Sequence, residues 1–376
     1  MNIGILIPGF SDGERDWCIP VYLNLVKTLT NTDSVRVFAL RYPPRRDRYP
    51  VYGAQVFSLG GHSSTAGLGR LALLARTIRQ IIRQHRVQRF DVLHAIWADE
   101  TGFAACLAGR LIGVPVVVSI AGGELAALPG YGLQSGWISR WLVSQAISRA
   151  DYLTAPSQYV ASLIQINRPQ LEIVPLGVDT TLFCPPGPDT PRSDRLLVVG
   201  SLVPVKGHDL LLNALATLPV VEVDIVGEGP LLAALQTQAE SLGLSQRVNF
   251  HGEVPHNGLP RFYQSAVLHV LTSRHEAFGM VIVEAAACAL PTVGFALGVL
   301  PEFSPTAGIA VQQGDIESLT RAIRGLLADP GRRLQMGHAA RSLVESHYTL
   351  NLMADGMCTA YRKVTSTRSN YRKSAG

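Results

Sequence analysis

Two acids eight positions apart, Glu276 and Glu284, are the residues of this chain best suited to holding a polar ligand. Glu284 lies in the run Met280-Val-Ile-Val-Glu-Ala-Ala-Ala287, a helix otherwise written in apolar residues. A buried carboxylate without a partner is strongly destabilising or gives up its charge. Either a ligand's paired hydroxyls or an internal arginine would satisfy it. Glu276 sits in the loop just before that helix. The free N–H groups of Ala277 to Met280 make a positive pocket there, suited to a phosphate or to developing negative charge. Taken alone, Glu276 also reads as a solvated loop acid.

Lys206 marks a second loop. The chain holds four lysines (Lys27, Lys206, Lys363 and Lys373) against 29 arginines, yet a lysine follows the strand-like run Leu196-Leu-Val-Val-Gly200-Ser201. A compact ammonium suits a phosphate oxygen at close quarters; an exposed lysine at a helix start is the alternative. A third piece, Val223-Asp-Ile-Val226-Gly227-Glu228-Gly229-Pro230, repeats the order strand, glycine turn, helix, with Pro230 placed for the first helical turn. Its glycines let a phosphate or a base approach the backbone. Val248-Asn-Phe250-His251-Gly252 ends a further strand at the same rim.

The elements that must position these residues alternate throughout. The expected strands are Asn2–Ile7, Val35–Leu40, Val92–Ile96, Pro115–Ile120 and Tyr152–Ala155, then Leu196–Gly200, Val221–Val226, Val248–His251, Val267–Thr272 and Thr292–Phe295. Helical patterns such as Val21–Leu29, Leu68–Arg86 and Thr101–Leu111 lie between them. Near-continuous Val/Ile/Leu strands are buried on both faces, which means parallel sheets flanked by helices. The chain has 376 residues, too many for one ordinary core. The expectation is two doubly wound, Rossmann-like α/β domains facing across a cleft. Residues 1–175 form the first. A Pro-rich linker spans 176–194, and the second domain takes up 195–348. A C-terminal helix at 349–365 packs back on the first domain, and the basic tail 366–376 is expected to be disordered.

Composition narrows the class. Apolar residues make up 47% and charged residues 16%, which excludes a disordered chain. The longest nearly apolar stretch, Ala285 to Leu300, is broken by Pro291 and too short to span a bilayer. MNIGILIPGF reads as a first strand, not as a signal peptide. Five scattered cysteines with no CxxC pair suggest a reducing cytosol, neither a disulfide framework nor a zinc site. The net charge of +5 lies wholly in residues 1–184. No aromatic-basic interleaving accompanies it, so nucleic acid is not expected, and an anionic substrate or lipid surface fits better.

Together these pieces resemble the retaining, nucleotide-sugar-dependent glycosyltransferases of the GT-B fold, family 4 or "glycosyltransferase group 1" type. EAFGMVIVEAAACALP is similar to the family's EGFGLVLLEAMACGLP, so Glu276 and Glu284 stand at its E-x7-E. GSLVPVKG, DIVGEGP and NFHGEV follow in the family's order, and Ile173-Val-Pro-Leu-Gly-Val-Asp179 with Phe183 resembles its interdomain IPNGVD…F. The resemblance implies transfer of a hexose from a UDP- or GDP-linked sugar to a hydroxyl acceptor, with no cofactor. Lys206 would contact the diphosphate together with Ser201, Gly227, Gly229 and Gly252. Glu276 would hold sugar hydroxyls beside the N–H groups of Phe278, Gly279 and Met280, and Glu284 the ribose. Glu276 and Lys206 would be catalytic. In the first domain, the loop Gly9–Asp16 with Asp12, Gly13 and Asp16, the His94 of DVLHAIW, and Glu124 would face the acceptor. His94 also reads as a satisfied core histidine. Ser201 stands where the family often has Arg, and Ala121 where its HG-x-D segment has His. No DxD occurs, its nearest relative being Glu222-Val223-Asp224 within a strand, so the sequence calls for no metal.

Arginines at 70, 76, 79, 83, 86 and 89 alternate with Leu71, Leu74, Ile78, Ile81 and Ile82 along Leu68–Phe90. Such a helix either lies on an anionic membrane or packs on the first sheet with a wet basic face. The first reading would make a cytoplasmic protein peripheral to the inner membrane face. Other readings stay open: an epimerase of the same fold, a phosphorylase, or a non-catalytic subunit. The loops Arg41–Arg48 and Ser58–Gly69 are the expected seat of specificity.

Overall fold

The computed structural model describes residues 1–14, 16, 18–62, 67–125, 136–164, 170–187, 192–218 and 221–374, of which 367–374 as backbone only. Arg15 of the first-domain loop, 63–66, linker residues 188–191 and the last two tail residues, all subjects of expectations above, lie outside the described residues. The chain divides into two compact units, Met1–Gly177 with Leu350–Gly376, and Val178–Thr349.

In the first unit the strands are β1 (Asn2–Gly9), β2 (Ser34–Tyr42), β3 (Arg46–Val51), β4 (Ala54–Leu59), β5 (Val92–Ile96), β6 (Val116–Ser119), β7 (Tyr152–Ala155) and β8 (Leu171–Ile173). The helices are α1 (Pro20–Leu29), α2 (Gly67–Val87), α3 (Glu100–Ile112), α4 (Trp137–Arg149) and α5 (Gln158–Ser162). The sheet order is β3-β4-β2-β1-β5-β6-β7-β8, parallel except for the β3/β4 hairpin. Ile3, Ile5, Leu6 and Ile7 of β1 are all buried, as a strand covered on both faces requires. The helices carry their own stop and start signals. The Asp99 side chain accepts from the Thr101 N–H at the start of α3, and left-handed Gly113 ends it.

The second unit contains β9 (Arg195–Val199), α6 (His208–Ala216), β10 (Glu222–Val226), α7 (Leu232–Ser241), β11 (Val248–Phe250), α8 (Pro260–Ser265), β12 (Leu268–Leu271), α9 (Met280–Ala287), β13 (Thr292–Phe295), α10 (Leu300–Phe303), β14 (Gly308–Val311), α11 (Ile316–Ala328) and α12 (Pro330–His347). Its six strands are all parallel in the order β11-β10-β9-β12-β13-β14. The order reverses between β9 and β12, so the loops after these two strands border the crevice where open α/β sheets take ligands. The last helix, α13 (Leu350–Ser374), returns to the first unit and packs on α1, β6 and β7.

Three expectations need correction. The segment 366–374 is helical, not disordered: α13 runs on through it because no Gly or Pro interrupts an already nucleated helix. The stretch Arg41–Arg48 is largely strand, since β2 and β3 take up Arg41, Tyr42 and Arg46–Arg48, while Ser58–Gly69 begins in β4 with Ser58 and Leu59 and ends in the first turn of α2. The hairpin turns on Tyr52-Gly53, both at positive φ. β3 shows no apolar alternation because it is the exposed sheet edge. Pro230 precedes α7, which begins at Leu232.

Candidate functional site

In the second unit the loop after β9 and the loop after β12 are joined by an ion pair. Lys206 Nζ lies 2.6 Å from Glu276 Oε2, and both side chains are mostly shielded. Ser273 Oγ donates to the same oxygen at 3.3 Å. The approach depends on Gly207. It sits at φ 64°, and a Cβ there would meet the Thr272 carbonyl oxygen at 2.1 Å, so only glycine lets the two loops touch.

Beside this pair α9 begins. Left-handed Gly279 (φ 89°) is its N-cap, and no side chain caps it. Ile282 N–H turns back to the Gly279 carbonyl at 2.8 Å, whereas the N–H groups of Met280 and Val281 precede the helix ladder and carry the positive end of the helix dipole. Phe278 is buried, with its ring edge-on to Tyr348 at 6.0 Å, and fixes the entry into the helix.

The glycine turns fall at the same C-terminal rim. The Gly227 N–H donates to the Gly252 carbonyl at 2.8 Å, and the Leu202 N–H to the Glu228 carbonyl, just before Gly229. Ser201 is exposed. Its carbonyl accepts from His208 Nε2 at 3.1 Å, a tie from the first turn of α6 to the loop.

Glu284 is buried in α9, as the sequence requires, but its partner is not an arginine. Tyr263 Oη donates to Oε2 at 2.8 Å, and His256 Nε2 lies 3.2 Å from Oε1. The Phe183 ring packs against both His256 and Tyr263, at 5.1 and 5.9 Å between centroids. Burial beside the Glu284 charge holds the Tyr263 hydroxyl far above the usual phenol range, so it stays protonated and donating. Nothing near Glu284 in sequence announces His256 or Tyr263. Their signal is only that a carboxylate in an apolar helix demands donors.

In the first unit, Glu124 lies beyond β6. Its Oε1 accepts the N–H groups of Ala98 at 3.1 Å and Ala121 at 3.0 Å, which ties the loops after β5 and β6 together. Oε2 is buried and has no hydrogen-bond partner among the described residues. Burial outweighs those two hydrogen bonds and pushes the carboxyl up to about 7. Asp12 and Asp16 lie in the loop after β1. Asp12 forms a two-pronged ion pair with Arg45, and its N–H donates to Asp16 Oδ2 at 2.8 Å. A Cβ at Gly13 would meet nothing within 4 Å, so this loop is open at its tip. Arg45 is a partner that the sequence did not reveal, because it stands just before β3, which was unreadable as a strand.

His94 does not stand with the acceptor residues. It is fully buried, Nε2 lies 2.7 Å from Ser119 Oγ, and Tyr361 Oη of α13 is 2.7 Å from Nδ1. Burial drives its pKa down to about 3, so it is neutral. The expectation that it faces an acceptor is therefore corrected: both ring nitrogens are engaged inside the core.

Comparison with known proteins follows the same two-part division. Residues 20–177 match the family "Glycosyl transferase 4-like domain", and residues 189–343 match "Glycosyl transferases group 1". The chain is similar to the GDP-mannose-dependent alpha-(1-6)-phosphatidylinositol monomannoside mannosyltransferase of Mycolicibacterium smegmatis. They are 29% identical over 345 residues, covering 84% of this chain and 87% of that protein. It is also similar to the D-inositol 3-phosphate glycosyltransferase of Segniliparus rotundus, 28% identical over 319 residues, 77% of this chain and 70% of the other. Among solved structures, sucrose-phosphate synthase from Thermosynechococcus elongatus shares the fold with a TM-score of 0.82 at 20% identity, covering 98% of this chain and 100% of that one. With both halves matched in order and the E-x7-E acids in the loop before α9 and within its body, the chain belongs to the group 1, family 4 type glycosyltransferases of the GT-B fold.

Proposed function

We propose that this glycosyltransferase moves a hexosyl group from a GDP- or UDP-linked sugar to a hydroxyl of an acceptor containing a phosphorylated inositol, with retention at the anomeric carbon. The observation that carries the donor half is the Lys206–Glu276 pair at the crevice between β9 and β12, beside the uncapped start of α9. A diphosphate would draw Lys206 to itself and lie against the α9 N-terminus. Glu276, released, would accept hydrogen bonds from sugar hydroxyls, and Glu284 from the ribose. In the reaction the bond between the anomeric carbon and the diphosphate oxygen breaks through an oxocarbenium-like state. Lys206 and the helix dipole stabilise the charge on the leaving oxygen. The acceptor oxygen bonds to the same face of the sugar, and its proton passes to the departing diphosphate. No residue in this scheme requires a metal.

The acceptor half rests on the relatives, whose names specify phosphatidylinositol monomannoside and D-inositol 3-phosphate. A lipid acceptor would place the protein at the cytoplasmic face of a membrane. Among the described residues, no helix is long and apolar enough to cross one. The test is incubation with GDP-mannose and with UDP-sugars against inositol phosphates and phosphatidylinositol lipids, with the anomeric configuration of the product read by NMR. Transfer with retention supports the proposal. Donor binding with neither transfer nor slow donor hydrolysis would show a non-catalytic subunit instead.

A further inference from the structure

In the first unit, α2 follows β4 and α4 lies beyond β6, so both helices begin at the C-terminal rim of their sheet. Their first turns lie side by side: the Arg70 guanidinium reaches Ser139 Oγ at 3.4 Å. The outward faces of these turns are apolar. Leu68 and Leu71 are 84% and 62% exposed on α2, and Trp137, Ile138 and Trp141 are 73%, 44% and 47% exposed on α4. Five large exposed apolar side chains on two helix turns joined by the Arg70–Ser139 contact concentrate apolar surface at this rim, as interaction sites do.

The same stripe of α2 becomes cationic as it leaves the rim, through Arg79 and Arg83. Two cavities of about 360 and 730 Å³ lie along it, and both are lined by Arg46, Arg76 and Arg83. Arg79 lines the larger and Arg48 the smaller. Arg46 pairs in register with Leu59, the last residue of β4, so these cavities reach the rim as well. Among the described residues no carboxylate makes an ion pair with Arg46, Arg48, Arg79 or Arg83. Asp47 is the one carboxylate in these two linings and pairs with Arg45, against five lining arginines. A groove so rich in arginine beside exposed tryptophans suits one partner above others. Tryptophan and leucine partition into the headgroup boundary, and guanidinium groups pair with lipid phosphates. Self-association through this face is disfavoured, since a two-fold contact would set the arginine groove against its own copy.

We propose that this rim of the first unit docks on an anionic phospholipid bilayer, with Trp137, Ile138, Trp141, Leu68 and Leu71 entering the headgroup boundary and the arginine groove holding lipid phosphates. Docked so, the loops that carry Glu124 and Asp12 face the surface on which a lipid acceptor is presented. This last point rests on the function proposed above, whereas the docking does not.

The test is sedimentation with phosphatidylcholine vesicles, with and without phosphatidylglycerol, at low and high salt, on wild type and the double variants W137S/W141S and R79E/R83E. Wild type should bind anionic vesicles only, with salt sensitivity and a blue shift of tryptophan emission. Each double variant should lose about tenfold or more in partition while its thermal melt stays that of wild type. Equal binding by variants and wild type overturns the proposal. So does calorimetric binding of inorganic phosphate without vesicle binding, which would mark a free-anion site. A concentration-dependent dimer abolished by W137S/W141S would overturn it in favour of self-association. Because partition is read without turnover, docking and glycosyl transfer fail independently.

Discussion

Lys206 and Glu276, 70 positions apart, meet at 2.6 Å across the point where the second unit's strand order reverses. The pair sets an unliganded resting arrangement in which each charge holds the other. Replacing Lys206 by Ala should lower kcat on the order of 10²-fold, as loss of a group that stabilises transition-state charge does. Glu276→Ala should do the same. The double variant should lose less than the product of the two, because each residue also fixes the other. Strict additivity in a steady-state double-mutant cycle would show that the two act separately.

Glu284 makes a different prediction. Its carboxylate is held by Tyr263 and His256 and still has lone pairs for two ribose hydroxyls. Glu284→Ala should weaken nucleotide binding by roughly 10–100-fold, the worth of hydrogen bonds to a charged acceptor. Tyr263→Phe should cost about 1–3 kcal/mol of stability, because it strips a donor from a buried acid. Its nucleotide affinity should fall less than that of Glu284→Ala. Calorimetric titration beside denaturant melts separates the two effects.

Much of this was legible in the sequence where chemistry and periodicity agreed. The ten expected strands all exist, because buried parallel strands read as unbroken Val/Ile/Leu runs. The acids of α9, Lys206 and the glycine turns announced themselves because charge or flexibility in such places has few other uses. What was not legible depended on tertiary neighbours. β3 carries Arg46, Asp47, Arg48 and Pro50 and looks like a loop until β4 pairs with it. His94 looked like a site residue because the strand around it said nothing of Tyr361, 267 positions away. The donors to Glu284 come from α8 and the turn before it, where no local pattern singles them out.

That buried histidine gives a pH prediction. The pKa of His94 is about 3 in the fold against 6.5 unperturbed, so between these values the unfolded chain binds the extra proton. Its contribution to stability is complete above about pH 6.5 and is lost as pH falls toward 3, about 2 kcal/mol by pH 5. His269 in the second unit, with Nδ1 3.0 Å from Thr292 Oγ1 and a pKa also lowered to about 3, adds a parallel loss. His94→Gln should be less stable at neutral pH yet show a shallower acid limb in thermal melts. Tyr361→Phe, which leaves Nδ1 unpaired, should cost about 1–3 kcal/mol without changing that limb's slope.

Glu124 titrates with the opposite sign. Its pKa rises from 4.5 to about 7 in the fold, so the native state holds the proton more tightly than the unfolded one. Folding therefore loses stability as pH rises from about 4.5 through 7, at up to about 1.4 kcal/mol per pH unit while the two values bracket the pH. Glu124→Gln removes that slope, and near pH 8 it should melt above wild type. Were Glu124 to bind the acceptor, Oε2, which has no hydrogen-bond partner among the described residues, would be the oxygen to receive its hydroxyl. The acceptor KM of wild type should then change through an apparent pKa near 7, and that inflection should vanish in Glu124→Gln while donor affinity stays put. A pH profile of KM identical in the two proteins would remove Glu124 from the acceptor site and leave it as the clasp between the loops after β5 and β6.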